Sequence, residues 1–309
     1  MSRSTISTFQ LFEMFPNQEA ARIYLESRLW PNGVTCPTCK SRENIAALKG
    51  KGKTGFYRCY PCQLDFTVRT GTVMERSKIP LHKWLYAMYL LVTARKGFAS
   101  MQLAKEIGVT QKTAWFLLHR LREACGGNLE MLRGTVEIDE TFVGGKEINK
   151  HDNKKLKQGR GSVGKISVLG MRERGGNTKA FTIEGNDLGT VQQAIFDNIE
   201  VGSTIYTDEH GSYSGLDGLL FKHRTVNHSA GVFGRGPVNT NSIESVWAVM
   251  KRGIHGVYHS TSKKHLHRYV DEFTFRLNEG NVKIHSLKRL DSFIAGTAGK
   301  RLTFKELTK

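Results

Sequence analysis

The chain has 309 residues, enough for two or three domains and a sizeable core, and its formal net charge is +18. This charge, from 46 Lys and Arg against 28 Asp and Glu, favours a polyanionic partner, most plausibly nucleic acid. No apolar run approaches the length of a membrane span and no basic amphipathic helix stands out, which argues against a membrane partner.

The N-terminal residues and the cysteine content bear on location. Residues 1–30 lack the basic, apolar and small-residue sections of a signal peptide, so we expect a cytoplasmic protein. Its five cysteines should then be ligands or buried thiols rather than members of disulfides. The apolar residues of 1–30 recur at roughly helical spacing, which predicts an N-terminal helical segment without visible chemistry.

Four of the cysteines form two close pairs, Cys36-Pro-Thr-Cys39 and Cys59-Tyr-Pro-Cys62, with 19 residues between them. Each pair can form a tight knuckle, and four thiolates complete a tetrahedral shell suited to one structural Zn2+. A closed shell leaves no open position, so this zinc is not expected to be catalytic. The spacing predicts a zinc ribbon over 31–76, with strands at 56–59 and 66–73.

The sequence of residues 77–127 predicts three helices, at 81–95, 100–107 and 111–124. A Gly-Val turn joins the last two, and Thr110 is placed to cap the final helix. A short helix, a glycine turn and a second helix with a polar tip form the helix-turn-helix plan, whose second helix enters the major groove of DNA.

The polar tip of that last helix consists of Gln111, Lys112 and Thr113, which we expect near base edges. Arg120, further along the helix, is a candidate phosphate contact or a partner of a nearby acid. Small all-helical packing units show the same pattern, but the net charge favours DNA binding here.

From about residue 133 to residue 280 the pattern changes to strands and alternating helices. Strands are predicted at 134–143, 165–173, 179–184, 203–208 and 219–226, and helices at 188–199 and after Asn239. This periodicity alone predicts an α/β domain. The C-terminal tail, 281–309, carries basic pairs, and its sequence suggests no task.

Two acids interrupt or end these strands. Asp139 lies within a β-branched and aromatic run closed by two glycines, and Asp208 ends the strand at 203–208. A carboxylate in such a position is costly unless it is paired, hydrogen-bonded or bound to a metal. Either Asp alone would more often form a turn, but two such strands followed by an acid-bearing helix favour a shared metal site.

The acid-bearing helix begins near Asn239, with Asn or Ser as its expected N-cap. Its apolar stripe, at helical spacing, comprises Ile243, Val246, Trp247 and Met250. Glu244 and Lys251 are seven residues apart and share another face, and Asn241 lies near the same line. A solvated face with one acid and one base would look the same, but the two Asp residues favour a functional site.

The chain therefore resembles bacterial insertion-sequence transposases of the DDE class, in the group with an N-terminal zinc ribbon. Besides the cysteines, the motifs that carry the resemblance are Glu137-Ile-Asp-Glu-Thr-Phe-Val-Gly-Gly145, Tyr206-Thr-Asp-Glu-His-Gly-Ser-Tyr213, Val238-Asn-Thr-Asn-Ser-Ile-Glu244, Lys251-Arg-Gly253 and His265-Leu-His-Arg-Tyr-Val-Asp-Glu-Phe-Thr-Phe-Arg276. They cover nearly the whole chain, and their joint occurrence is highly specific. The resemblance implies a ribonuclease H-like catalytic domain over 133–280, following the zinc ribbon and the helix-turn-helix of a multidomain protein.

The resemblance also implies a DNA transposase, which binds the ends of its insertion sequence and catalyses Mg2+-dependent strand cleavage and strand transfer into target DNA. Asp139, Asp208 and Glu244 are then the catalytic acids and the ligands of two Mg2+ ions, which prefer oxygen ligands. In this family a basic residue follows the third acid by seven residues, as Lys251 follows Glu244. Some relatives carry Asn as the third ligand, so Asn241 is the alternative; we choose Glu244 on its spacing to Lys251.

By the same resemblance, Lys251 and Arg252 are expected to hold DNA phosphate, and the protein to act on DNA as a homodimer or higher oligomer. Two rival functions are a DNA-binding regulator with zinc ribbon and helix-turn-helix, and a nuclease that cuts without strand transfer. A regulator has no reason to place three acids on converging elements, whereas the sequence does not separate the two enzymes.

Overall fold

The computed structural model describes residues 5–127, 130–145, 150–156, 163–218, 220–226 and 238–309. Its helices are α1 (Thr8–Met14), α2 (Gln18–Leu29), α3 (Leu81–Thr93), α4 (Ser100–Ile107), α5 (Gln111–Cys125), α6 (Leu188–Asn198), α7 (Asn241–Gly253), α8 (Leu266–Asn278), α9 (Ser286–Ala295) and α10 (Phe304–Thr308). Its strands are β1 (Ile45–Ala47), β2 (Tyr57–Cys59), β3 (Leu64–Phe66), β4 (Thr135–Val143), β5 (Ile166–Glu173), β6 (Thr178–Ile183), β7 (Thr204–Thr207) and β8 (Lys222–Thr225). None of the helices in the described ranges has both the length and the apolar character that a bilayer span requires.

The chain folds into two compact units. The first contains the described residues up to Gly127 together with Glu279–Lys309, and the second contains those from 130 to Asn278. The C-terminal residues therefore pack with the N-terminal part of the chain. The sequence pattern contains no sign of this return.

The zinc ribbon of the first unit is a three-stranded antiparallel sheet in the order β1-β2-β3. Trp30 packs edge-on against Tyr57 and Phe66, with ring centroids 5.6 and 5.8 Å away. The strand predicted over 66–73 is wrong, because β3 ends at Phe66 and turns follow. There the Thr70 hydroxyl accepts a hydrogen bond from the Thr67 N–H, a local bond that competes with strand pairing.

Helix α3 is the centre of the first unit, with nine of its 13 residues buried. The C-terminal helix α9 packs on α3 and α2, where Arg289 Nη1 donates to the Val92 carbonyl at 2.8 Å. Asp291 of α9 accepts from Tyr24 Oη at 2.5 Å and from Arg28 Nε at 2.7 Å. The tail 281–309, for which the sequence suggested no task, thus contributes to this core.

The three predicted helices of 77–127 are α3, α4 and α5. Helix α4 ends at Gly108, whose left-handed backbone (φ 64°, ψ 53°) lets the chain reverse without the steric cost of a side chain. Thr110 caps α5 as predicted, since its hydroxyl accepts from the Thr113 N–H at 3.2 Å. The turn between the helices is therefore fixed by local chemistry.

The second unit is built on a five-stranded sheet in the order β6-β5-β4-β7-β8. Strands β4, β5 and β6 are antiparallel neighbours, whereas β7 and β8 continue the sheet on the other side of β4 and run parallel to it. This is the ribonuclease H-like arrangement, so the predicted fold class is confirmed. The last predicted strand, at 219–226, is the short strand Lys222–Thr225.

The two faces of this sheet carry separate cores. Val136 and Ile138 of β4 pack with α6 on one face, and Val143 packs with α7 and α8 on the other. Because side chains alternate along a strand, Glu137 and Asp139 belong to the face covered by α7. The acid-bearing helix and the first candidate acid are therefore on the same side of the sheet.

Candidate functional site

The four cysteines of the ribbon converge as their spacing predicts. The sulfur atoms of Cys36, Cys39, Cys59 and Cys62 all lie within 4.8 Å of one another, and none of these thiols is in a disulfide. Cys39 Sγ and Cys59 Sγ are 3.7 Å apart. That distance matches the edge of about 3.8 Å expected for a tetrahedron with Zn–S bonds of about 2.3 Å. The cluster therefore fits a closed structural Zn2+ site.

The backbone around Cys36 favours its thiolate form. Burial alone would raise the pKa of this thiol, but hydrogen bonds from the backbone N–H groups of Cys39 and Thr38, and from the thiols of Cys59 and Cys39, lower it to about 7. The thiolate is the form that binds metal, so the first knuckle is prepared for a cation near neutral pH.

The sheet brings the first two candidate acids together. In the parallel pair of β4 and β7, Glu137 is level with Tyr206. Asp139 follows two residues later on β4, and Asp208 follows directly after the end of β7, so the direction of the paired strands brings the two acids to the same end of the sheet. These acids, 69 positions apart in the chain, are close enough for the charge of Asp208 to raise the pKa of Asp139.

Asp139 has an environment that disfavours a lone negative charge. Burial raises its pKa from 3.8 to about 7, the charges of Glu140 and Asp208 add to the increase, and a hydrogen bond from Trp247 opposes it. That bond runs from indole Nε1 to Asp139 Oδ2 at 2.9 Å. A cation between the neighbouring carboxylates would relieve the repulsion that the raised pKa reflects.

The third candidate acid, Glu244, lies in the first turn of α7 and is exposed. Its Oε1 accepts a hydrogen bond from the Thr240 hydroxyl at 3.1 Å. Trp247 follows three residues later, about 60° around the helix, and contacts Asp139. Glu244 therefore stands at the edge of the helix face that packs on β4.

The three carboxylates are more widely spaced than the cysteines. Within the described ranges, the four cysteines are the only set of three or more candidate ligands whose ligand atoms all lie within 4.8 Å. The fold thus pairs Asp139 with Asp208 and holds the helix of Glu244 against the same strand, without drawing all three acids into contact.

A fourth acid, Glu137, fixes α7 to the sheet, and sequence analysis missed it. Its side chain is fully buried, and Oε2 accepts from the backbone N–H groups of Ser242 at 2.8 Å and Ile243 at 3.0 Å. Its Oε1 accepts from Arg174 Nε at 2.7 Å. The expected Asn or Ser cap is wrong, because Thr240 is the N-cap and caps with no side-chain bond.

Glu137 supplies that cap from a distant strand. A carboxylate at a helix N-terminus satisfies free N–H groups and complements the helix dipole. The signal available in the sequence was an acid within an apolar strand, two residues before Asp139 on the same face. Its partner could not be found because it lies 105 residues away.

The loop after β7 is also tied to β4. The His210 N–H donates to Asp208 Oδ1 at 3.0 Å, and His210 Nδ1 lies 2.7 Å from the Ser212 hydroxyl. That hydroxyl donates to Glu140 Oε1 at 3.3 Å. Burial raises the pKa of Glu140, as does the charge of Asp208. Glu140 therefore anchors the segment that carries Asp208.

The candidate DNA-contacting residues of α5 lie near its N-terminus. Gln111 and Lys112 are exposed, and Thr113 is half-buried. Gln111 Nε2 donates to the Ser100 hydroxyl of α4 at 2.9 Å, and Lys112 Nζ stands 4.9 Å from the centre of the Phe304 ring. These contacts hold the polar tip of α5 in place while leaving its outer surface open.

Arg120 is a correction to the sequence-based prediction. It is only 5% exposed, donates to the Glu75 carbonyl, and lies over the rings of Trp84 and Phe116 at 5.4 Å from each. Desolvation lowers its pKa to about 10. A guanidinium enclosed in this way supports the core of the first unit and cannot reach DNA phosphate. Lys251 and Arg252, by contrast, are exposed on α7.

Two family models match the chain. Residues 131–278 match the model described as ISXO2-like transposase domain, and residues 16–65 match the transposase zinc-ribbon domain. The first spans the sheet with all three candidate acids, and the second spans the four cysteines.

Two individual proteins are also similar to this chain. An uncharacterized protein in transposable element ISH50 of Halobacterium salinarum is 29% identical over 272 residues, which cover 85% of this chain and 91% of the relative. An uncharacterized transposase-like protein of Haemophilus influenzae is 31% identical over 103 residues, covering 33% of this chain and 82% of the relative. Among solved structures, the Mos1 strand transfer complex matches with a TM-score of 0.30 and 12% identity, over 71% of this chain and 79% of that chain.

Proposed function

The chain belongs to the insertion-sequence transposases with a DDE catalytic domain and an N-terminal zinc ribbon, and on this premise we propose that it cleaves the ends of its insertion sequence and transfers them to target DNA. The observation that supports this proposal is the parallel pairing of β4 with β7, which sets Glu137 level with Tyr206, together with the effect of the Asp208 charge on the pKa of Asp139 two residues further along β4. The helix of Glu244 packs on the same strand through Glu137 and Trp247.

Asp139, Asp208 and Glu244 are the proposed ligands of two Mg2+ ions. Their oxygen donors suit Mg2+, and the raised pKa of Asp139 fits a carboxylate cluster that gains from a cation. When bound, two such ions activate the attacking oxygen and stabilise the leaving oxygen of an in-line displacement at phosphorus. Within the chain, Trp247 orients Asp139, Glu137 holds α7, and Glu140 anchors the Asp208 loop.

Lys251 and Arg252 are proposed to hold DNA phosphate beside the acids. Lys251 lies on α7 about 20° around the helix from Glu244 and two turns further on. A cation there counters the phosphate charge without entering the carboxylate cluster. Arg252 Nε donates to the Ala248 carbonyl at 2.9 Å. This bond holds the Arg252 guanidinium on the exposed side of the helix.

The polar tip of α5 is the proposed reader of the element's end sequences. Gln111→Ala should relax preference at one base pair and weaken specific binding by about 1–3 kcal/mol, if the amide makes a bidentate contact. Ser100→Ala is the matched control, since it loses the same Gln111–Ser100 bond but keeps the amide. The measurement is binding of the full chain to end DNA and to random DNA at fixed salt. Equal loss in both variants would mean that Gln111 only braces α4 against α5.

The central test is a Mg2+-dependent assay of cleavage and strand transfer. Asp139→Asn, Asp208→Asn and Glu244→Gln should each abolish both steps while retaining DNA binding, because each removes a negative charge at almost unchanged size. Asn241→Ala should retain activity. A fully active Glu244→Gln with an inactive Asn241→Ala would make Asn241 the third ligand, and a fully active Asp139→Asn would exclude the proposed mechanism.

The same assay separates the rival functions. Cleavage without joining would identify a nuclease, and DNA binding without either step would identify a regulator. We further propose that the protein works in the cytoplasm as a homodimer or higher oligomer, because two element ends must be handled together. The mass of the complex with end DNA tests the oligomeric state.

A further inference from the structure

One side chain joins the two elements that bear candidate ligands on the α7 side of the sheet. Trp247 is 4% exposed, and its indole N–H donates to Asp139 Oδ2 at 2.9 Å. The donor belongs to α7, the helix of Glu244, and the acceptor belongs to β4. The bond therefore fixes the orientation of one acid from the helix that carries another.

A glycine makes room for the indole. Gly170 of β5 pairs with Asp139 in the sheet, and a Cβ atom there would overlap Cζ2 and Cη2 of Trp247 and crowd Ile243 Cδ1. The backbone of Gly170 is outside the left-handed region, so its conformation does not demand glycine. What the missing side chain supplies at this position is space for the ring.

We propose that Trp247 is a positioning residue of the active site, which holds Oδ2 of Asp139 and thereby presents Oδ1 to a divalent cation, with Gly170 as the space that fixes the ring. The inference rests on the proposed function, since it takes Asp139 as a metal ligand. A group that hydrogen-bonds to a metal-ligating side chain, without binding the metal itself, fixes the orientation of that side chain. Loss of such a bond typically weakens metal affinity about 10–100-fold.

The test measures Mn2+ binding to the full-length, zinc-loaded chain without DNA, by electron paramagnetic resonance of the free ion. Asp139→Asn defines the binding that depends on the site. Trp247→Phe keeps an aromatic ring but removes the donor, and it should weaken that binding about 10-fold or more. Trp84→Phe is the matched control, since it also loses a buried indole bond, to Ser77 Oγ at 3.1 Å in the first unit. It should bind Mn2+ as the wild type does.

Gly170→Ala tests the same inference without removing any polar group. Its new Cβ displaces the indole, so Mn2+ binding should weaken to a similar extent as in Trp247→Phe. Phe at position 247 has no atoms equivalent to Cζ2 and Cη2 of the indole, which are the atoms that a Cβ at position 170 would overlap. The double variant should therefore bind Mn2+ no more weakly than Trp247→Phe alone, a departure from additivity that a merely destabilising pair would not show.

The outcomes test the positioning role of Trp247 separately from the proposed transposase function on which it rests. Wild-type Mn2+ affinity in folded Trp247→Phe, or additive losses in the double variant, overturns the positioning role and leaves the proposed function standing. If Trp247→Phe does not fold, Gly170→Ala decides alone, and wild-type affinity there overturns the role. Equal Mn2+ binding by the wild type and Asp139→Asn overturns the proposed function and the inference together.

Discussion

The cysteine cluster and the carboxylate site are both sets of candidate metal ligands, but the chain assembles them differently. The four cysteines come from one short segment, 36–62, and their sulfur atoms lie within 4.8 Å of one another. The three acids lie on β4, directly after β7 and on α7, and they reach the same end of the sheet only through the pairing of β4 with β7 and the packing of α7. One site is local in sequence, and the other depends on the whole second unit.

The difference also concerns charge. By their ordinary pKa values, most thiols are neutral at neutral pH and lose a proton when they bind a metal, whereas most carboxyls are already charged and repel one another. Burial, with a smaller contribution from the charges of Glu140 and Asp208, raises the pKa of Asp139 to about 7. A local thiol cluster therefore suits a metal that builds the fold, and a spread carboxylate site suits metals that arrive with a substrate.

Removing zinc should have the largest effect, and it should affect the ribbon alone. Thiolate-bound zinc supplies about 10–16 kcal/mol of binding free energy in small zinc domains, so chelation should unfold β1–β3. Hydrogen exchange should report lost protection in 31–66 and unchanged protection in the sheet of the second unit. Cys125→Ser is the control, since this thiol lies outside the cluster and should leave zinc content at about one per chain. A protected ribbon after chelation would contradict the comparison.

Glu137→Gln should have the next largest effect, on the second unit. Removing one partner of a buried ion pair costs about 3–5 kcal/mol, and the partial exposure of Arg174 (29%) places this case near the lower end. We expect loss of stability in urea unfolding together with weaker Mn2+ binding at the acids, because a neutral amide caps α7 less strongly than the carboxylate and loses the ion pair with Arg174.

The control for that loss is Glu272→Gln. It breaks the buried pair of Glu272 with Arg276, 2.5 Å apart on α8, without touching the α7 N-terminus. Its unfolding free energy should fall comparably, while Mn2+ binding stays near the wild-type level. Equal weakening of Mn2+ binding in both variants would show that general stability, rather than the cap, governs the acid site.

The pH dependence of stability should show a smaller effect. Because the folded pKa of Asp139 is raised from 3.8 to about 7, the native state binds this proton more tightly than the unfolded state. Its contribution is fully present below pH 4 and is lost as pH rises through about 7. Relative to zinc-loaded wild type without Mg2+, the unfolding free energy of Asp139→Asn should gain about 2–4 kcal/mol as pH rises between those limits.

Chemical unfolding of both proteins across pH 4–8 measures this difference, with zinc retained throughout. Added Mg2+ should reduce the wild-type loss, since a cation offsets the charge of the ionised carboxylate. A constant difference between wild type and Asp139→Asn across the range would mean that burial and the neighbouring charges do not raise the pKa of Asp139.

The smallest effect is expected from Lys251→Ala. Loss of one phosphate contact should reduce the slope of log affinity against log salt by about 0.9 and weaken binding to all DNA sequences alike. Lys222→Ala removes the same charge from β8 in the same unit and should leave the slope unchanged. Equal slopes in the two variants would assign Lys251 a general electrostatic role.

The sequence by itself determined the features whose causes are local. The two cysteine pairs specify their knuckles, Gly108 and Thr110 specify the turn before α5, and alternating apolar residues specify the strands. Asp139 and Asp208 could be singled out because an acid in an apolar strand is conspicuous wherever it is found. The order and direction of the strands could be predicted only from the resemblance to a family, because periodicity alone predicts no more than an α/β domain.

Only the tertiary structure decided which distant groups meet. It made Glu137 the cap of α7, set the Trp247 ring over Gly170, enclosed Arg120 in the core, and packed α9 into the first unit. The physical reason is that periodicity reveals which face of an element is apolar, but not which element covers it. A polar group that is satisfied about 100 residues away leaves no spacing to recognise, so its partner emerges only when the chain is folded.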